Sequence, residues 1–163
     1  MPQFAKYRRA PPCFKVIENY FSPEEVDKIV DLEELQKFSK GTFGPEGQQQ
    51  SDDDARNSEI SWIYPDAQSQ WVFDKFGILL GHVNHDVFMY DIDGLEYFQY
   101  TRYKKKQHYD WHFDQFMDYS NWERKISATI VLSDPDDYKG GELDIVAGGN
   151  PEKATTVKPI FTI

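Results

Sequence analysis

His112-Phe113-Asp114 is the tripeptide that holds the most chemistry in this chain. On a strand, residues two apart face the same side, with Cα atoms about 6.6–7 Å apart. From that spacing an imidazole and a carboxylate can converge on one metal ion. They are two of the three protein ligands of a 2-His-1-carboxylate site, a set that leaves the opposite positions of a ferrous ion open. The surrounding residues alternate, with Tyr109, Trp111 and Phe113 on an aromatic face and Asp110, His112 and Asp114 on a polar one. That pattern predicts a strand with Phe113 turned into packing and the polar face turned to a metal. His108 lies on the same nominal face. Four residues along a regular strand is about 13 Å, so His108 reads as a surface or supporting residue. His82 and His85 fall at the end of a predicted helix, where a histidine ordinarily complements the dipole or packs. No histidine follows His112.

The elements that must position this pair follow from caps and periodicity. Residues 1–12 are basic and proline-rich and read as a loose tail, with a single domain over 13–163. Phe14-Lys15-Val16-Ile17 reads as a short strand. Ser22, Pro23 and Glu25 form a capping-box start, and Val26, Ile29, Val30 and Leu35 give an apolar stripe that predicts a helix to about Ser39. Residues 40–57 are polar and glycine-rich and read as a flexible loop or a lid. Ser58 to Ile63 predicts a strand with Ile60 and Trp62 on one face. Asp66 opens a second helix over about 67–84, with Phe73, Phe76, Leu80 and Val83 as a core stripe.

Beyond residue 86 the period becomes two. Strands are predicted at Val87–Tyr90, Leu95–Tyr103, Gln107–Phe113, Ile126–Leu132 and Glu142–Val146, separated by aspartate- and glycine-rich turns. The fold class is therefore mainly β with flanking helices, a sandwich or jelly roll.

The bulk numbers narrow the function. The chain has 163 residues, 16% of them aromatic, and a net charge of −10. That charge argues against nucleic acid or an anionic membrane as a partner, because both need basic surface. One cysteine, Cys13, excludes an internal disulfide. No apolar run approaches the roughly 18 residues of a membrane span, and no secretory signal opens the chain, so a cytoplasmic protein is expected.

Two longer stretches carry a resemblance. The first is Tyr103-x-x-x-Gln107-x-Tyr109-x-x-His112-x-Asp114. The second runs from Ser127 through Asp134-Pro135-Asp136-Asp137-Tyr138-x-Gly140-Gly141-Glu142-Leu143, and Arg56-Asn57-Ser58-x-Ile60-x-Trp62 adds to both. Together they resemble the iron(II)- and 2-oxoglutarate-dependent dioxygenases, specifically the prolyl 4-hydroxylase-like group, over roughly residues 14 to 159.

The resemblance implies a double-stranded β-helix, with His112 and Asp114 as iron ligands and Tyr103 lining the 2-oxoglutarate pocket. It places Tyr109 beside the metal strand as a further cofactor-binding residue. It implies Fe(II), 2-oxoglutarate and ascorbate as cofactors, O2 as co-reactant, and a peptide, protein or small-molecule substrate hydroxylated at a C–H bond, a prolyl residue among the options. Gly140 and Gly141 shape a turn, while Lys106 stands where the group usually has glycine, in a basic turn with Lys104 and Lys105. A distal histidine and a basic residue that pairs with 2-oxoglutarate complete the group's site. Neither has a counterpart before Ile163, so the jelly roll is expected to be incomplete at its C-terminus. Arg124 does not match that basic residue, and Glu142 and Asp144 are the remaining candidates for a substitute ligand. A catalytically inactive homologue and a noncatalytic jelly-roll binding module are the alternatives.

Overall fold

The first helix begins where its cap residues require. Ser22 Oγ accepts from Glu25 N–H at 3.3 Å, and Glu25 Oε2 accepts from Ser22 N–H at 2.7 Å. This reciprocal pair satisfies two backbone donors that a helix start otherwise leaves open. The computed structural model describes residues 12–34, 37–44, 49–114, 124–146 and 150–157. Within them α1 spans Pro23–Glu34, and Val26, Ile29 and Leu32 are its buried face. Leu35 lies outside the described residues, and Ser39 belongs to a strand, not to the predicted helix end.

The second helix, α2 (Gln70–Val83), starts three residues later than expected. Asp66 caps the turn ahead of it, with Oδ1 accepting from Gln68 N–H at 2.8 Å and Ser69 N–H at 2.9 Å. These bonds hold the Asp66 carboxyl below its ordinary range. After α2 the chain widens into a π-helical segment, Asn84–Phe88, closed by Met89 at φ 58°. The strand expected over Val87–Tyr90 is absent because this wider turn continues the helical path. Phe14–Ile17 also forms no strand.

Among the described residues, seven short strands form three separate ladders. The largest is β1 (Ser39–Lys40), β3 (Glu59–Ile63) and β4 (Phe98–Arg102) in the order β1-β3-β4, all antiparallel. A second ladder pairs β2 (Arg56–Asn57) with β5 (His108–Tyr109). The third pairs β6 (Leu143–Ile145) with β7 (Thr155–Val157), a strand the alternation did not reveal. The described strands do not close on one another, so the molecule is strand-rich with two helices. Residues 126–132 form no ladder, yet Ile130 and Leu132 pack against the helical core. In β3, Ile60 and Ile63 are buried while Trp62 is 38% exposed, so the expected pairing of Ile60 with Trp62 as one core face does not hold.

The described residues at 40–44 and 49–57 make pairings that a polar loop would lack. Phe43 bridges Gln50, and Gly41 N–H donates to Ser58 O at 2.8 Å. A Cβ at Gly41 would come within 2.3 Å of Ser58 Oγ and 2.8 Å of Arg56 Nε. Only glycine admits that approach.

One joint ties the two helices together. Lys75 Nζ of α2 donates to both oxygens of Glu25, at 2.6 and 2.5 Å. The same ammonium lies 5.1 Å from the Tyr20 ring centroid and 5.0 Å from that of Phe21. Below it Phe21, Val26, Ile29, Leu32 and Val72 form the core, and Phe98 packs against it. Phe73 of α2 stacks on Phe98 at 4.1 Å between centroids, and Phe76 meets Phe98 edge-on at 5.4 Å. Each such aromatic pair contributes about 0.5–1.5 kcal/mol beyond its buried area.

Two predictions follow. The Lys75 hydrogen bond holds the Glu25 carboxyl below its ordinary range. A depressed carboxylate contributes stability above its unfolded value and loses it as pH falls through the folded value. Glu25→Gln therefore lowers stability at pH 7, and the deficit shrinks as pH falls toward 3. Urea melts across that range check this, and a constant deficit at every pH would contradict it. Gly41→Ala costs about 1–3 kcal/mol through overpacking against Ser58 and Arg56; a melt within error of the parent would show that the loop yields.

Candidate functional site

The site segment leaves β5 directly. The β2–β5 ladder pairs Arg56 with Tyr109 and Asn57 with His108, and Asp110 N–H adds one more bond to Ala55 O at 2.9 Å. Beyond Asp110 the chain bends away, so His112 and Asp114 are not on a regular strand as their alternation implied. The two-face reading fails with it. Phe113 is 88% exposed, not packed, and Tyr109 lies on the same side as His112.

The pair nevertheless converges. His112 Nε2 lies 3.2 Å from Asp114 Oδ1. Two donors bound side by side at about 2.1 Å from one ion sit roughly 3 Å apart, so the separation fits neighbouring positions on a single metal. His112 Nδ1 lies 2.7 Å from Asp110 O and donates to it. A metal-ligating histidine characteristically spends its other ring nitrogen this way, which orients the ring and leaves Nε2 for the ion. The residues therefore fit Fe(II) as two of its ligands.

Electrostatics agree with the geometry. The Asp114 carboxylate, hydrogen-bonded to Nε2, raises the His112 pKa above the ordinary histidine range. His112 in turn lowers that of Asp114, and a hydrogen bond from Ser127 lowers it further. Arg124 reaches the same spot. Its Nη1 donates to Asp114 O at 3.1 Å while Nε and Nη2 clamp Glu96 at 2.6 and 2.5 Å.

Tyr109 stacks on His112, with ring centroids 3.6 Å apart and planes 11° apart. The Arg56 guanidinium carbon lies 4.4 Å from the Tyr109 centroid. Tyr103, the expected 2-oxoglutarate residue, follows β4 and is 48% exposed. Its surroundings raise the hydroxyl pKa through desolvation, and the Arg56 charge opposes this, which places Tyr103 near Arg56.

Other candidates stay apart. His108 Nε2 lies 3.0 Å from Asp54 O. His85 contacts Asp86 at 2.8 Å, and His82 sits in the last turn of α2. Asp144 accepts from Thr156 Oγ1 at 2.6 Å across β6–β7. Lys104, in the basic turn, pairs with Glu59 at 2.8 Å. Lys106 adopts φ 67°, the left-handed conformation in which glycine is the usual residue. Gly140 and Gly141 lie at φ 86° and 73°, in keeping with a purely geometric role. Among the described residues no third His, Cys, Asp or Glu gathers with the pair. A cavity of about 310 Å³ beside Ser58 and Gln107 does not include it either.

Sequence reasoning missed Ser127, Arg124 and Glu96 as contributors and saw Arg56 only as part of a resemblance.

The His112–Asp114 interaction defines a pH window. The raised His112 pKa contributes stability below its unfolded value of about 6.5 and loses it as pH rises through the folded value. Asp114, depressed, contributes above its unfolded value and loses that as pH falls. By NMR, His112 is expected to titrate above about 6.5. Asp114→Asn should bring the midpoint down; an unmoved midpoint would show that the carboxylate is not its partner.

No helix among the described residues is long and apolar enough to cross a membrane. No curated protein and no solved structure matches the chain significantly. Residues 98–162 match the family model described as the 2OG-Fe(II) oxygenase superfamily; the matched span holds Tyr103, Tyr109, His112 and Asp114, and it supports that superfamily for this chain.

Proposed function

We propose that this protein is an Fe(II)- and 2-oxoglutarate-dependent dioxygenase that hydroxylates a C–H bond, with a prolyl residue of a peptide or protein as substrate and ascorbate as reductant. The reading includes a jelly-roll fold for the oxygenase domain. One observation carries it. The 3.2 Å separation of His112 Nε2 and Asp114 Oδ1, with Nδ1 tied to Asp110 O, lies inside the span that matches the superfamily.

In this reading His112 and Asp114 hold the iron. Iron and 2-oxoglutarate, when bound, would supply the oxidising chemistry, with O2 giving one oxygen atom to the substrate C–H bond and the other to succinate as CO2 leaves. The protein positions the reactants. The Asp110 carbonyl keeps the proton on Nδ1, and Ser127 holds Asp114 ionised by a hydrogen bond. Tyr103 lines the cosubstrate pocket, where its hydroxyl, protonated at neutral pH, can donate a hydrogen bond. Tyr109 backs the metal-binding histidine.

The test is a Co(II) titration followed by visible absorption, alongside succinate release from 2-oxoglutarate with Fe(II) and ascorbate. The chain should bind Co(II). His112→Ala and Asp114→Ala should each weaken it by more than the 10–100-fold (roughly) typical of a supporting residue. Co(II) uptake untouched by both substitutions would overturn the reading.

A further inference from the structure

We propose that Arg56 is a positioning residue for His112, acting through the Tyr109 ring. The proposal rests on the reading of His112 as an iron ligand. Arg56 is 5% exposed, and three donors fix its plane. Nε donates to Ser58 Oγ at 2.9 Å, Nη1 to Thr42 O at 2.8 Å and Nη2 to Gln99 Oε1 at 2.6 Å. These acceptors come from a loop, the residue before β3, and β4, so rotating the guanidinium would break bonds to separate parts of the fold.

That fixed plane lies over Tyr109, and Tyr109 lies on His112. Two planar groups cannot share one ring face at 4.4 and 3.6 Å, so Tyr109 is held between them. The torsion that turns an imidazole about its Cβ–Cγ bond is broad and shallow. The Nδ1 bond to Asp110 O restrains this rotation at one edge, and the stack restrains the whole plane. Because the Nε2 lone pair lies in the ring plane, a tilt of the ring would carry it off the direction of Asp114.

A purely structural Arg56 would anchor β2 and leave the His112 ring indifferent. Two readouts separate the cases in the 163-residue chain: Co(II) affinity, and the ring-current shift that Tyr109 imposes on the His112 ring protons in metal-free NMR spectra. Arg56→Lys keeps the charge but loses the planar fork. Tyr109→Leu removes the ring, and Tyr109→Phe retains it.

Arg56→Lys and Tyr109→Leu are expected to weaken Co(II) binding by roughly 10–100-fold and to abolish the shift. Tyr109→Phe, which keeps the ring that makes the stack, should keep the shift. If Arg56→Lys does not fold, Gln99→Leu, which removes the acceptor of Arg56 Nη2, takes its place. A folded Arg56→Lys with shift and affinity intact overturns the proposal and leaves the metal reading standing. A shift that depends on Arg56 in a chain that takes up no Co(II) supports the positioning role and sinks the metal reading instead.

Discussion

The buried guanidinium of Arg56 is the interaction on which the architecture around the site depends. A charge taken out of water is costly unless each polar hydrogen meets an acceptor. Here the acceptors are neutral groups, a loop carbonyl, a serine hydroxyl and a glutamine amide, supplemented by the face of an aromatic ring. Neutral acceptors must be well aimed to compensate, so the requirement passes to the elements that supply them. Thr42 can reach Arg56 only because Gly41 lets the chain come close to Ser58. Gln99 can reach it only because β4 is held at a fixed height on the sheet.

What fixes that height lies in the helices. Phe98, one residue before Gln99, stacks on Phe73 and meets Phe76 edge-on. Those side chains belong to α2, and α2 is tied to α1 through Lys75 and Glu25. Glu25 is also half of the box that starts α1. A continuous set of contacts therefore runs from the first helix cap to the imidazole of His112. The helices position the site by holding the strand that holds the arginine.

Much of this was legible in the sequence and some was not. Ser22, Pro23 and Glu25 announced a helix because capping is local, and local rules survive in any tertiary context. The second helix and the strands Glu59–Ile63, Phe98–Arg102 and Leu143–Ile145 were legible from periodicity. The alternation over Tyr109–Phe113 misled, since it records residue types and not whether a partner strand exists to pair with. Phe113 shows the consequence, an aromatic residue that alternation assigned to packing and that stands 88% exposed. Spacing and family likeness singled out His112 and Asp114, and the fold brings their side chains to 3.2 Å. The contributions of Arg56, Ser127 and Arg124 were not legible, because Ser127 and Arg124 lie 13 and 10 residues after Asp114 and Arg56 lies 56 before His112, and only the fold brings them to the pair.

The failed strand has a physical reason that bears on the chemistry. In a regular strand the carbonyl of residue i−2 points sideways to a neighbouring strand while the side chain of residue i stands out of the sheet. An imidazole could not then donate to that carbonyl. His112 Nδ1 does donate to Asp110 O, at 2.7 Å, because the ladder stops at Tyr109 and the chain bends. The backbone bonds given up are partly replaced: Asp110 N–H reaches Ala55 O, Trp111 N–H reaches Asp110 Oδ1, and Arg124 takes up Asp114 O. The bend that defeats the strand reading is thus the same feature that orients His112. A site that places Nε2 against Asp114 needs the imidazole held from its other nitrogen, and an unbroken strand could not supply that hold from the preceding turn of chain.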